Sequence, residues 1–200
     1  PVPVFWQLKS GIHEIGFTIH RLSPKWDDGP LVWEKAVKNE PWYNYNYVNL
    51  LFSQLCVEGV VHIMQHHVRT VVPPVIQVNG AEKRYHKRPG LNDIMIDWQA
   101  MEAEEICNLV RACNPWNKGA LTFFNNSEVK LMDAYVANGN NMASSALGTI
   151  IADGEQLSII CRNNKCINVN SLFLNDSFVP AYHAKHYGMV KGQVFHKMGG

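Results

Sequence analysis

Apolar and polar residues alternate from Glu14 to Arg21, with Ile15, Phe17 and Ile19 on one side and Gly16, Thr18 and His20 on the other. A period of two predicts a strand with one apolar face. Ser23-Pro24 and Asp27-Asp28-Gly29-Pro30 then supply turn chemistry, because Asp accommodates tight turns and Pro fixes φ. A second short strand is predicted over Leu31–Ala36. Between Asn44 and Val68, Val48, Leu51, Phe52, Leu55, Val60 and Ile63 recur at close to helical spacing. This helix is predicted to end near Thr70, before Val71-Val72-Pro73-Pro74, since the residue ahead of a proline is pushed out of the α region. Gly59 falls inside the pattern and argues against one unbroken helix. The opening Pro1-Val2-Pro3-Val4-Phe5-Trp6 reads as an apolar turn.

Val75–Met95 carries Pro, Gly and Asn and reads as a linker. Beyond it, Glu102–Ala112 predicts a helix with Ile106, Leu109, Val110 and Cys113 on one side, stopped at Asn114-Pro115. Short strands are predicted at Ala120–Phe124, Glu128–Val136, Gly148–Ala152, Gln156–Cys161 and Cys166–Val169. Asn125-Asn126, Asn138–Asn141, Asp153-Gly154 and Asn163-Asn164 punctuate them. Strands of this length and spacing suggest a small barrel preceded by one helix.

Composition narrows the function. Lys plus Arg number 18 against 17 Asp plus Glu, too balanced for a general nucleic-acid coat. Residues 73–96, however, hold only Glu82 and Asp93 against Lys83, Arg84, Lys87 and Arg88, so the small positive excess is concentrated there. Five cysteines, an odd number, suit reduced thiols better than a disulfide framework. No apolar run reaches the roughly 18 residues of a membrane span, and no basic-then-apolar signal opens the chain. A cytoplasmic protein without a membrane partner is the expectation.

Four groups of residues carry candidate chemistry. Asp27 and Asp28 lie on a turn between two strands, where a carboxylate can orient an imidazole or take a proton; the plain reading is an Asp-rich turn held by local hydrogen bonds. His62 and His66 share a helical face, but no Glu follows His62 and no second cluster supplies further ligands, so exposed helix histidines are expected and no metal. Cys161 and Cys166 flank an Asn-Asn turn with no second pair to complete a zinc site. Lys83, Arg84, Lys87 and Arg88 enclose Tyr85 and His86, a pattern that contacts phosphates and stacks on bases, or else a solvated linker.

Two stretches together resemble the formyltransferase family that uses 10-formyltetrahydrofolate. Gly11-Ile12-His13-Glu14-Ile15-Gly16-Phe17-Thr18-Ile19-His20-Arg21-Leu22, followed by Trp26-Asp27-Asp28-Gly29-Pro30-Leu31, is similar to a family segment that has Thr where Ile15 stands. Ile96-Asp97-Trp98, the helix from Ala103 to Ala112, Asn114-Pro115-Trp116 and Gly119-Ala120 resemble the junction that opens the family's C-terminal barrel.

The resemblance implies an α/β remnant of a doubly wound domain, followed by a C-terminal OB-like β-barrel with one leading helix. The expected division is 1–72 for the C-terminal half of the catalytic domain, 73–96 for the basic linker and 97–200 for the barrel. Asp27 matches the family's catalytic Asp. Leu22, Ser23, Trp26, Asp27 and Asp28 match its folate-binding loop, with Asp28 in a position usually small or hydroxylated. The family's catalytic Asn and His belong before Pro1, so the chain is expected to begin mid-motif, to lack the N-terminal half of the catalytic domain, and to be inactive alone. The implied reaction transfers a formyl group from 10-formyltetrahydrofolate to an amine. The acceptor expected is initiator methionyl-tRNA, with Lys83, Arg84, Lys87 and Arg88 contacting nucleic acid. A nucleotide-linked amino sugar is an alternative acceptor. A non-catalytic module that binds RNA or a partner is the alternative from another class.

Overall fold

A helix, not an apolar turn, occupies the start of the chain. The computed structural model describes residues 2–24, 29–67, 86–137 and 146–197. Helix α1 spans Pro3–Lys9. Pro stands in its first turn, where a missing N–H costs nothing. Phe5 and Leu8, three apart and therefore on one face, are both fully buried.

Strands β1 (Glu14–His20) and β2 (Leu31–Lys38) form an antiparallel hairpin that pairs Ile15 with Val37, Phe17 with Lys35 and Ile19 with Trp33. Helix α2 (Tyr45–His67) lies against it. Gly59 does not break α2; it lets the helix approach the hairpin. A Cβ there would stand 2.6 Å from Ile19 Cδ1 and 2.7 Å from Trp33 Cε3. Phe17 packs edge-on to Phe52 of α2 at 5.3 Å, and Lys35 pairs with Glu58 at 2.7 Å.

Helix α2 also corrects the reading of apolar runs. Its residues Tyr45–His66 are long and apolar enough to cross a membrane by length and composition, with a mean hydropathy of 1.3. Asn49, Gln54, Glu58 and His62 interrupt this run. Leu50, Val57, Val61 and Met64 are exposed on the helix.

A one-turn helix α3 (Leu91–Ile94) precedes helix α4 (Ala103–Cys113). The first turn of α4 is tied by the Glu102 N–H donating to the Glu105 carboxylate at 2.7 Å, which satisfies a donor the helix itself leaves open. Ile106, Leu109, Val110 and Cys113 are buried as their spacing predicts. Strands β3 (Ala120–Phe124), β4 (Ser127–Val136), β5 (Ile150–Asp153), β6 (Leu157–Ile160) and β7 (Cys166–Leu174) follow. A last strand, β8 (Ser177–Pro180), has no counterpart in the sequence reading.

The sheet runs β3-β4-β7-β6-β5, with β8 paired to β7. Among the described residues β3 and β5 are not paired with one another, so the closed barrel expected is not found there. Both edges instead meet the C-terminal segment through isolated bridges, Phe123 with His196 and Thr149 with Val194. Among the described residues the pairings between the named strands are antiparallel, and a single isolated bridge, Met95 with Leu121, is parallel. The parallel layering of a doubly wound domain is therefore not present among the described residues.

One hydrophobic core runs from Val4, Phe5, Leu8, Ile15 and Val48 through α4 into the sheet. Phe5 meets Trp116 edge-on at 5.8 Å, joining α1 to the turn after α4. Lys9 Nζ donates to the Asp93 carbonyl at 2.7 Å, so α1 is also bonded to α3.

Candidate functional site

The hairpin presents the candidate site on the loop between its strands. The Arg21 N–H donates to the Pro30 carbonyl at 3.0 Å and closes the loop at its base. Gly29 is buried there, and a Cβ on it would stand 1.7 Å from the Arg21 carbonyl oxygen. No side chain fits that space. The pinch explains in physical terms why glycine sits between Asp28 and Pro30.

Leu22 is 97 % exposed, an apolar side chain with no core to join, and Ser23 is partly exposed. Trp26, Asp27 and Asp28 lie outside the described residues.

The basic segment is partly visible. Lys83 and Arg84 lie outside the described residues. His86, Lys87 and Arg88 run beside α1. The His86 ring stacks on Trp6 with centroids 4.8 Å apart and planes 19° apart. The Trp6 indole N–H donates to the Lys87 carbonyl at 3.0 Å. Lys87 Nζ, 80 % exposed, stands 3.9 Å from Asp93, a separation that contributes little to stability at such exposure. Lys9 Nζ is 5.2 Å from the Trp6 ring. Burial lowers its pKa, and the Asp93 carboxylate opposes that shift. An open cavity of about 580 Å³ adjoins Trp6, Lys9 and His86. The sequence reading did not single out Trp6; one tryptophan in a short apolar run was the only signal.

The remaining candidates are structural. The rings of His62 and His66 stack at 4.3 Å, and His66 Nδ1 is 2.9 Å from the His62 carbonyl. No group of three or more metal-ligating side chains occurs among the described residues. All five cysteines are free. Burial pushes the thiols of Cys107, Cys113 and Cys161 up to about 12, which leaves them protonated and inert at neutral pH.

A second cleft, unmarked by the sequence, lies where the hairpin meets α4. Arg111 of α4 reaches across it to the Asn39 side chain and to the carbonyls of Glu40 and Tyr43. Its signal was a lone Arg in the last turn of an amphipathic helix, a position ordinarily explained by the helix dipole.

Residues 91–177 match the family model described as formyl transferase, C-terminal domain. Among individual proteins, the chain is similar to the methionyl-tRNA formyltransferase of Lactobacillus acidophilus. The two are 28 % identical over 178 residues, which cover 84 % of this chain and 52 % of that protein. The methionyl-tRNA formyltransferase of Fervidobacterium nodosum is 23 % identical over 202 residues, covering 99 % and 63 %. The chain thus spans about half to two-thirds of the length of these relatives. Solved structures share its fold. HypX from Aquifex aeolicus in complex with tetrahydrofolic acid aligns with a TM-score of 0.68 at 18 % identity, over 94 % of this chain and 32 % of that one. WlaRD, a sugar 3N-formyl transferase in the presence of dTDP and 5-N-formyl-THF, aligns with a TM-score of 0.66 at 16 % identity, over 84 % and 59 %.

Proposed function

We propose that this chain is part of an enzyme that transfers the formyl group of 10-formyltetrahydrofolate to the amino group of initiator methionyl-tRNA. The observation that carries the reading is the pinched loop. Gly29 and Arg21 close the base of a segment whose sequence resembles the family's folate loop, on a chain similar to methionyl-tRNA formyltransferases. Tetrahydrofolic acid and 5-N-formyl-THF are named with two of the structures that share the fold, which supports the donor.

The donor supplies an electrophilic formyl carbon. The acceptor amine forms a C–N bond to that carbon, the bond to the folate nitrogen breaks, the amine loses a proton, and the folate nitrogen takes one. Asp27 is the residue of this chain assigned to the proton and to orienting a partner imidazole. Leu22 and Ser23, with Trp26 and Asp28, are assigned to the folate, Leu22 as an apolar contact that the protein leaves uncovered. Lys87 and Arg88, with Lys83 and Arg84, are assigned to phosphates of the acceptor.

A second reading keeps the chemistry and changes the acceptor to a nucleotide-linked amino sugar. It is favoured by the likeness to WlaRD and to the N-formyltransferase from Helicobacter canadensis in complex with folinic acid and dTDP-3-aminofucose, which has a TM-score of 0.64 at 14 % identity.

The test offers methionyl initiator tRNA and an amino-sugar nucleotide, with the donor, to the full-length protein containing this chain, as wild type and as Asp27→Asn. Formylation of the tRNA is expected, falling at least about 100-fold in the variant with unchanged thermal unfolding. Near-wild-type turnover by Asp27→Asn overturns the assignment of Asp27. Activity confined to the sugar overturns the tRNA acceptor. No transfer to either, with salt-sensitive RNA binding retained, points to a binding module instead.

A further inference from the structure

The cleft between the hairpin and α4 encloses about 650 Å³ and is lined in part by His13, Lys38, Asn39, Asn108 and Arg111. Its chemistry is set by one unbalanced charge. The Arg111 guanidinium is half-buried, and all its partners are neutral oxygens. Nη1 donates to Asn39 Oδ1 at 2.7 Å and to the carbonyls of Glu40 and Tyr43 at 3.2 and 3.3 Å. Nε and Nη2 donate to Asn108 Oδ1 at 3.0 and 2.8 Å. Among the described residues no carboxylate pairs with it. Burial lowers its pKa, as expected of a cation without a counter-charge.

The other charges at the cleft are matched. Lys38 pairs with Glu40 at 2.9 Å and remains 64 % exposed at the mouth. The Glu104 carboxylate on the lining is hydrogen-bonded by Lys165 and held below its ordinary pKa. Tyr135 is engaged, its hydroxyl donating to Gln156 at 2.7 Å. Two donors have hydrogens to spare. Nη2 makes one bond with two hydrogens. Asn108 uses its carbonyl for Arg111, and its Nδ2 has no partner among the described residues.

A half-buried guanidinium costs free energy unless a counter-charge compensates it. Here the protein supplies a fork, a spare amide and a lysine at the mouth, and leaves the anion to come from outside. We propose that this cleft binds a phosphate group, seated on Arg111 Nη2 and Asn108 Nδ2 with Lys38 at the entrance. A planar fork with an adjacent point charge is the donor set that suits a phosphate. The site lies at the start of β1, whereas the folate loop leaves its end. The seven residues of that strand separate the two by about 20 Å. The phosphate site therefore stands on observations independent of the proposed formyl transfer, and either can fail alone.

The experiment titrates inorganic phosphate into the chain at constant ionic strength, with chloride as reference and glutamate as the carboxylate competitor. It follows the Arg111 Nε and Asn108 Nδ2 resonances by NMR. Both are expected to shift and saturate with phosphate and to stay in place with the other two anions. Lys38→Gln is expected to weaken binding about threefold. Arg111 also ties the 39–43 turn, so its removal risks the fold, and Asn108→Asp is the decisive variant. It places an isosteric carboxylate against the guanidinium, so binding should weaken more than about tenfold while the melting temperature holds or rises. Equal shifts with chloride, equal shifts with glutamate, or wild-type phosphate binding by Asn108→Asp would each overturn the proposal.

Discussion

The N–H of Arg21 donates to the carbonyl of Pro30 beside Gly29, where the Arg21 backbone leaves no room for a side chain. Gly29→Ala places a methyl group against backbone, which cannot rotate away. The loop base has to open, at a cost of about 1–3 kcal/mol. Amide hydrogen exchange is the direct measurement: Arg21 should lose protection while Ile15, at the far end of the strand, keeps it. Unchanged protection at Arg21 contradicts the pinch.

Gly59→Ala sets two effects of opposite sign against each other. Alanine in a helix interior is favoured over glycine by about 1 kcal/mol. Against this, the new methyl meets the Trp33 ring and the Ile19 side chain at under 3 Å, and overpacking of that kind costs about 1–3 kcal/mol. The packing term is expected to win. Thermal or denaturant unfolding should show a net loss, and a more stable variant shows that Trp33 can yield.

Asp97 links the turn before α4 to the C-terminal segment. Its Oδ2 accepts from Lys197 Nζ at 2.8 Å, and its Oδ1 accepts from the amides of Gln99 and Ala100. The hydrogen bond to Lys197 is the main cause holding its pKa below the ordinary value. A carboxyl whose pKa is depressed by folding contributes stability above its unfolded value, near 4, and loses it as the pH falls through the lower folded value. Asp97→Asn should therefore cost about 0.5–1 kcal/mol at neutral pH. It should also flatten the acid limb of stability below about pH 4, seen in melting temperatures across pH.

Cysteine labelling separates exposed from buried thiols. Cys56 is exposed, whereas Cys113, Cys161 and Cys166 are buried and Cys107 is largely so. With three thiols pushed up to about 12, native alkylation followed by mass spectrometry should modify Cys56 rapidly. The other four should react only after unfolding. Fast native reaction at Cys113 places α1 elsewhere than against α4.

The sequence pattern marked elements whose apolar periodicity is long enough to stand without tertiary help. Ile15, Phe17 and Ile19 announce β1, and Ile106, Leu109 and Val110 announce α4. It missed α1 because seven residues offer only Val4, Phe5 and Leu8 on one face, and the partners that fix them, Trp116 and α4, come a hundred residues later. Strand β8 was missed because only Val179 of its four residues is buried. The sheet was anticipated, but the closure expected of it is not found among the described residues. Whether two edges pair depends on where the 193–196 segment lies, and short-range alternation carries no record of that. Of the candidate site, Gly29 and Leu22 were legible as part of a motif. Arg111 was not, since its meaning comes from partners that are all neutral oxygens, those of Asn39, Asn108, Glu40 and Tyr43.

The shared core has a mechanical consequence. If the hairpin unit and the sheet were held together only by residues 68–85, severing the chain there would release two independent pieces. Phe5 and Leu8 instead lie in the same apolar interior as Ile106 and Leu109, so a chain cut in that segment should remain one particle, its two pieces clasped by buried surface. The covalent tether then sets only how quickly the halves find each other. Their relative placement, and with it the geometry of the loop and the phosphate cleft, is written into the packing.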